Sequence, residues 1–408
     1  MTLCNCTHRN VCENSFSKPR NIAVIGATGS IGTSALDVVD SSNGRLRAGV
    51  LAVNRSVKRL VELANYFKPD VIVICDTHAD RAPLKDLVGG IEILFGSDAL
   101  DEVVRRPEVD VVLLSVVGVA GLRFAWSAID AGKTLALANK EALVAGGALL
   151  TETIERNSSR LFPVDSEHSA IYQCLSSRRV ATRTPRIISH DVERLILTAS
   201  GGPFLRRSSD SLKYVTVNDA LRHPTWNMGA KITIDSATMM NKALEIIEAR
   251  WLFGLEADKI QVVIHPQSII HSMVEFVDGA VVAQLSPPDM RLPIQYALYE
   301  AERFPCPTRK FDWSQPLDFG FEPPDLERFP ALKLGFEVAK AGGTAGVVLN
   351  AANEVAVDAF LSNRLTFDKI PSICRRILEL HNFDALPSLD RIFELDAWAR
   401  KETEKWIV

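Results

Sequence analysis

With 408 residues, 47% hydrophobic and 24% charged, the chain is long enough for roughly two or three domains with cores of their own and has the composition of an ordinary globular protein. Its net charge of −4, from 46 Lys+Arg against 50 Asp+Glu, excludes the basic footprint of a nucleic-acid or anionic-membrane binder. The longest apolar run, residues 111–122, is too short to span a bilayer and is followed by Arg123, so no membrane partner is expected.

Residues 1–20 read as a disordered polar tail. Cys4, Cys6 and Cys12 flank His8 there, but at the spacing of no standard zinc finger, and the stretch lacks the apolar centre of a secretory signal. The other cysteines, Cys75, Cys174, Cys306 and Cys374, are widely scattered, and an odd total of seven argues against a disulfide framework. A reducing compartment follows. The bacterial cytoplasm is the expected one, with a plastid as the alternative.

A short apolar strand at 21–25 runs into Gly26-Ala27-Thr28-Gly29-Ser30-Ile31-Gly32, and a helix is predicted at 33–41. Strand, glycine-rich turn and helix form the dinucleotide fingerprint in its proper context: the glycines let the backbone approach a pyrophosphate, which then meets the free N–H groups of the helix N-terminus. The strand at 48–53 ends in Asn54-Arg55-Ser56. An NAD site places an acid at that point for the ribose hydroxyls; Arg55 and Ser56 suit a 2′-phosphate instead, which favours NADPH.

Further strands are predicted at 71–75, 91–95, 109–116, 134–138 and 161–164, with helices at 98–106 and 126–131. This alternation implies a Rossmann-like, doubly wound parallel sheet over residues 21–165, with ligands at the carboxyl ends of its strands. Asn139-Lys140-Glu141 and Asp165-Ser166-Glu167 both fall there. On an extended backbone Asp165 and Glu167, at i and i+2, would face the same side, and two such carboxylates repel unless a cation lies between them. Mg²⁺ or Mn²⁺, which prefer hard oxygen ligands, would relieve the repulsion; a solvated acidic loop is the alternative reading of the pair in isolation.

Residues 166–300 read as an α/β catalytic domain with a mixed sheet. Strands are predicted at 195–199, 231–234 and 261–264, and a hairpin at 272–277 and 280–285 turns at Asp278-Gly279. Ser200-Gly201-Gly202 would expose backbone N–H groups to an anion. Residues 219–231, interrupted by Pro and Gly and carrying His223, Trp226 and Met228, read as a lid. Asp235 or Ser236 is expected to cap a helix on which Asn241, Lys242 and Glu245 share one face. Residues 301–324 read as a linker, and 325–408 as a C-terminal helical bundle with helices at 331–341, 344–361, 367–381 and 388–406, expected to buttress the active site.

Seven motifs, in this order, resemble the 1-deoxy-D-xylulose 5-phosphate reductoisomerase family: the turn 26–32, Ala138-Asn-Lys-Glu141, Pro163-Val-Asp-Ser-Glu-His168, Ser200-Gly-Gly-Pro-Phe204, Arg222-His-Pro-Thr-Trp226, Asp235-Ser-Ala-Thr-Met-Met-Asn-Lys-Ala-Leu-Glu245 and His265-Pro-Gln-Ser268. The resemblance covers the chain from about Asn21 onward. It implies a homodimer dependent on NADPH and a divalent metal, acting in non-mevalonate isoprenoid precursor biosynthesis. By position it makes Asp165, Glu167 and Glu245 metal ligands. Lys140, Ser166, Glu167, Ser200, His223, Trp226, Ser236, Asn241, Lys242 and Glu245 become substrate contacts, with Ser200, Ser236, Asn241 and Lys242 at the phosphate. Thr28, Gly29, Ser30, Ile31, Asn139, Glu141 and Gly229 become cofactor contacts, beside Gly26, Arg55 and Ser56. Lys140, Glu167 and His223 are the candidate catalytic residues. The expected chemistry is chelation of the ketone and its neighbouring hydroxyl, retro-aldol cleavage and rejoining as a branched aldehyde, then reduction by NADPH. Asn54 and Arg55 stand where the family often has a glycine and a lysine. The alternative function is a simple NADP-dependent sugar or semialdehyde dehydrogenase, which would work in a chelator; a non-catalytic NADP-binding regulator would bind NADPH without turnover.

Overall fold

The computed structural model describes residues 18–176, 186, 190–226 and 228–407. Most of the predicted polar tail, with its three cysteines and His8, lies outside the described residues.

Seven parallel strands form the first sheet: β1 (Arg20–Ile25), β2 (Leu46–Val53), β3 (Val71–Ile74), β4 (Glu92–Phe95), β5 (Val111–Leu114), β6 (Thr134–Leu137) and β7 (Arg160–Pro163). They are joined by helices that include α1 (Ser30–Asp40), α2 (Val57–Phe67), α3 (Ser97–Arg105), α4 (Gly121–Asp130) and α5 (Lys140–Arg156). The order is β4-β3-β2-β1-β5-β6-β7. Runs such as Val71–Ile74 and Val111–Leu114 are buried along their whole length, as expected of parallel strands covered on both faces. β1 pairs with β2 on one side and β5 on the other, so the winding reverses there and leaves a crevice at the carboxyl ends.

From the end of β7, α6 (Ser166–Ser176) leads to a second sheet of β8 (Val192–Ala199), β9 (Ile260–Ile264), β10 (Ile270–Phe276) and β11 (Val281–Leu285), ordered β11-β10-β8-β9. β8 and β9 are parallel and β10 is antiparallel to both β8 and β11, so the sheet is mixed. Between β8 and β9 lie α7 (Val217–Ala220), α8 (Ala230–Thr238) and α9 (Met240–Phe253). α10 (Arg291–Leu298) returns to pack on α1. The stretch 302–330 has no helix or strand but is tied to the second sheet by the bridge between Glu322 and Ile264 and by the stacking of Phe321 on His265 at 4.9 Å. α11 (Ala331–Ala341), α12 (Ala345–Leu361), α13 (Ile370–Leu380) and α14 (Leu389–Glu404) follow, with α11 packed on α9 and α12 on α5.

Three local expectations are corrected. Residues 231–234 are not a strand but part of α8. The alternation Lys-Ile-Thr-Ile fits a period of two, yet Thr233, Ile234 and Ala237 bury against the rest of the fold as one helix face. Asp235 and Ser236 do not cap the next helix; they sit inside α8, which ends where Met239 turns into the left-handed region at φ 63°, and α9 starts at Met240. Asp165 and Glu167 do not lie on one extended strand: Asp165 follows β7, and Glu167 is in the first turn of α6.

α9 is buried almost from end to end and is held against α11 by a close approach at Gly335, where an added Cβ would lie 2.6 Å from Ala243 Cα. Gly335→Ala is therefore expected to force the helices apart and cost about 1–3 kcal/mol, read as a lowered midpoint in thermal or urea unfolding. An unchanged midpoint would show that this crossing has slack.

Candidate active site

Chain ends of the first sheet deliver the charged groups. Asn139, at the end of β6, caps α5 by accepting from Ala142 N at 3.1 Å, which fixes Lys140 as the first helical residue. Asp165 does similar work for α6, its backbone carbonyl accepting from Ser169 N at 2.8 Å. α9 brings Asn241, Lys242 and Glu245 to the same place, its buried length forcing the polar face inward. A buried His168 ties the two helices together, with Nε2 donating to the Glu245 carbonyl at 3.0 Å and Nδ1 facing Glu248 at 3.2 Å.

Asp165, Glu167 and Glu245 offer carboxylate oxygens that all lie within 4.8 Å of one another. Two lysines stand among them. Lys140 Nζ is 2.7 Å from Asp165, 2.8 Å from Asn241 Oδ1 and 3.6 Å from Glu245. Lys242 Nζ is 2.9 Å from Glu167 and hydrogen-bonds Glu245, which also accepts from Asn241 Nδ2. Three acids against two ammonium groups leave one negative charge in a site where Glu245 is fully buried. Burial first, and the charge of Glu167 second, push the Glu245 pKa up to about 7. Burial also works against the Asp165 carboxylate, but the Lys140 ammonium outweighs it and holds Asp165 well below the usual range. Lys140 and Lys242 are correspondingly pushed up: burial opposes their charge, and the surrounding acids overcome it. A convergent all-oxygen donor set with surplus negative charge fits Mg²⁺ or Mn²⁺.

These groups line a cavity of about 420 Å³. Of the predicted residues, Ser30, Ile31, Lys140, Asp165, Ser166, Glu167, Ser200, His223, Trp226, Gly229, Ser236, Asn241, Lys242 and Glu245 all face it. Ser200 Oγ contacts His223 Nε2 at 3.0 Å, while His223 Nδ1 accepts from Thr225 N at 3.2 Å and Trp226 N at 2.9 Å. Nδ1 is thus an acceptor and Nε2 carries the proton. Burial lowers the His223 pKa, which suits this neutral form. The same ring therefore fixes both Ser200 and the backbone of the lid.

The cavity also takes in residues that the motifs did not single out. His271 is buried, donates from Nε2 to the Ser286 carbonyl at 3.1 Å and lies 6.2 Å from the Trp226 ring. The second histidine of the run from His265 to His271 was the available signal. Pro288, Asp289 and Met290 line it too, and nothing in their local pattern marks them; Met239, inside the motif 235–245 but given no role there, also lines it.

Gly26, Thr28, Gly29, Arg55, Ser56, Asn139 and Glu141 do not line this cavity. The glycine turn lies next to it, since Ser30 and Ile31 open α1 at the cavity wall. Gly32 has no room for a side chain: a Cβ would stand 2.3 Å from the Gly26 carbonyl oxygen. Arg55 and Ser56 sit beyond the end of β2, where exposed Arg55 pairs with Asp76 from the end of the neighbouring β3. Asn139 and Glu141 are buried beneath the crevice.

Residues 22–147 match the 1-deoxy-D-xylulose 5-phosphate reductoisomerase family, and residues 161–253 and 285–402 match two C-terminal domains of that reductoisomerase. The chain is 46% identical to the 1-deoxy-D-xylulose 5-phosphate reductoisomerase of Rhodopirellula baltica over 93% of each protein. It is similar to the crystallised Zymomonas mobilis reductoisomerase in complex with NADPH, with a TM-score of 0.87 at 40% identity, covering 96% of this chain and 99% of that one. A reductoisomerase crystallised with NADPH, fosmidomycin and magnesium matches with a TM-score of 0.87 at 38% identity, covering 95% of this chain and 98% of that one.

A cation takes the ionised carboxylate, so it must displace the proton that Glu245 holds up to about pH 7. Mg²⁺ or Mn²⁺ affinity is expected to weaken below that pH by up to about tenfold per pH unit and to level off above it. Calorimetric titration between roughly pH 6 and pH 8 measures this; a flat profile would mean that Glu245 surrenders no proton on binding.

Proposed function

This chain belongs to the 1-deoxy-D-xylulose 5-phosphate reductoisomerase family, and from that premise we propose that its cavity isomerises and reduces 1-deoxy-D-xylulose 5-phosphate to 2-C-methyl-D-erythritol 4-phosphate with NADPH and Mg²⁺ or Mn²⁺, in non-mevalonate isoprenoid precursor biosynthesis. One observation carries the assignment: three carboxylates within 4.8 Å of one another share a cavity with Ser30 and Ile31, which open the cofactor-turn helix. A sugar or semialdehyde dehydrogenase working without a metal has no use for that cluster, nor has a non-catalytic NADP-binding regulator, and neither alternative is favoured.

Asp165, Glu167 and Glu245 are the residues we assign to the divalent ion. When bound, the ion supplies a Lewis acid and a template for adjacent substrate oxygens. With those carboxylates engaged, Lys140 and Lys242, which pair with them in this structure, would have their ammonium groups free for other partners. Lys242, with Ser200, Ser236 and Asn241, is then available to the substrate phosphate, a source of remote binding energy. Lys140, whose Nζ faces Asp165 and Asn241 in the cavity, would present that nitrogen to a substrate oxygen. Ser166 Oγ donates to Glu167 at 2.5 Å and orients that carboxylate. His223 Nε2–H orients Ser200 while Nδ1 holds the lid backbone, so phosphate contact and closure of Trp226 over the cavity are mechanically linked. Thr28, Gly29, Ser30 and Ile31 would hold the pyrophosphate of NADPH and Arg55 its 2′-phosphate, and the bound cofactor would supply a hydride.

On this reading residues 21–165 bind NADPH, 166–300 carry catalysis and dimer contacts, and 325–408 buttress α5 and α9. A homodimer is supported by β11, an edge strand with Val281 51% and Val282 38% exposed, which could pair with its copy across a twofold axis. Among the described residues no helix is long and apolar enough to cross a membrane. The relatives named above come from bacteria, which supports the bacterial cytoplasm as the compartment.

NADPH oxidation is expected to require both 1-deoxy-D-xylulose 5-phosphate and the metal, and to stop in EDTA. Glu245→Gln should cut turnover by at least about 100-fold and leave NADPH binding intact. Full activity in that variant, or in chelator, would refute the ligand assignment. Arg55→Ala should shrink the preference for NADPH over NADH by roughly tenfold in kcat/KM, and an unchanged ratio would remove Arg55 from the 2′-phosphate site.

A further inference from the structure

A second cluster of buried charge lies behind the lid helix and takes no part in the chemistry above. Lys231, on the first turn of α8, places Nζ 2.8 Å from Asp235 Oδ2 and 3.3 Å from Glu141 Oε1. Asp235 is 1% exposed, and its Oδ1 accepts from Nδ2 of the fully buried Asn353 on α12 at 2.8 Å. On the other side, Glu141 Oε2 accepts from Asn139 Nδ2 at 2.9 Å. That nitrogen also donates to the carbonyls of Val116 and Gly118 at 3.0 Å each. Val116 and Gly118 belong to the turn after β5, the strand beside β1 at the crevice. One ammonium thus joins α8, the turn after β5 and the C-terminal bundle.

α8 divides its faces accordingly. Ile232 and Ser236 line the cavity, whereas Lys231 and Asp235, one residue earlier in each turn, do not. A buried acid left without its cation either protonates or pulls in water, and in both cases its hydrogen bonds change. Without Lys231, Glu141 would lose its ammonium partner and be free to shift, and with it the bond from Asn139, whose Nδ2 also holds the carbonyls of Val116 and Gly118.

Resting on the reading of the crevice as an NADPH site, we infer that Lys231 is a positioning residue for the cofactor, acting through Glu141 and Asn139 on the turn after β5 and itself held by Asp235 and Asn353. α8 and the turn after β5 are then one mechanical unit. Disturbing Lys231 weakens NADPH binding although the residue does not line the substrate cavity.

The test compares the full-length protein with Lys231→Met, Lys231→Arg and Asp235→Asn, measuring NADPH Kd by fluorescence titration, both KM values and thermal midpoints. Lys231→Met is expected to weaken NADPH binding by about tenfold, with the sugar-phosphate KM at saturating NADPH moving by less than about twofold. Lys231→Arg, which keeps the charge, should recover most of the loss, and Asp235→Asn should fall between. The inference is overturned if NADPH Kd in Lys231→Met stays within about twofold of wild type while the thermal midpoint falls, or if Lys231→Arg binds NADPH no better than Lys231→Met. Should Lys231→Met not fold, the isosteric Asp235→Asn decides: a wild-type NADPH Kd there overturns the inference. A wild-type protein that binds NADPH yet never oxidises it with 1-deoxy-D-xylulose 5-phosphate would sink the proposed reaction, and the binding titration would still judge Lys231 by itself.

Discussion

Mutual repulsion among Asp165, Glu167 and Glu245 is the constraint that the rest of the site answers to. Their oxygens lie within 4.8 Å of one another in a place where Glu245 is fully buried. Such an arrangement is unfavourable in isolation, and every nearby group mitigates it: Lys140 and Lys242 by charge, Asn241 by hydrogen bonding, and Glu245 itself by keeping a proton to about pH 7. A divalent ion resolves the same tension more completely. The two lysines then have positive charge to offer an anionic substrate. Metal and phosphate are in this sense coupled through the lysines.

Holding the acids together against that repulsion requires rigid supports. α9 carries Glu245 and is anchored by its buried apolar length, by the close crossing with α11 at Gly335, and by His168, whose imidazole spans from the Glu245 carbonyl to Glu248. Burial disfavours the imidazolium, but Glu248 outweighs it and raises the His168 pKa to about 9, so the link between α6 and α9 is an ion pair. The acid carriers are the end of β7, the first turn of α6 and the long helix α9. Rigidity therefore has to come from packing between layers rather than from any single element.

The lid follows a different logic. Residues 221–226, 228 and 229 have no helix or strand, and their order depends on side chains: His223 accepting from the Thr225 and Trp226 amides, and Trp226 lying near His271. Few backbone hydrogen bonds and one pivot ring make a segment that can move at modest cost. Its downstream end is α8, tied through Lys231 and Glu141 to Asn139 and the turn after β5. The segment is thus held at Ser200 by His223 and at Glu141 by Lys231.

Much of this was legible in the residues themselves. Short apolar runs punctuated by turns mark the strands of the first sheet, the glycine turn marks the cofactor crevice, Asp278-Gly279 marks the hairpin, and apolar spacing places α11 to α14 within a few residues; all of these signals are local, and local geometry decides them. The motif residues of the site were legible as well, because their types and spacing are distinctive. What the sequence could not determine was convergence. Whether Lys-Ile-Thr-Ile at 231–234 is strand or helix depended on what lay behind it, and burial of Ile234 and Ala237 settled it as helix. The acid facing Arg55 comes from β3 because parallel strands bring their ends side by side, and Asn353 reaches Asp235 across 118 residues because α12 packs beside α8. Partners so far apart along the chain are chosen by how layers pack, and only the tertiary structure specifies that.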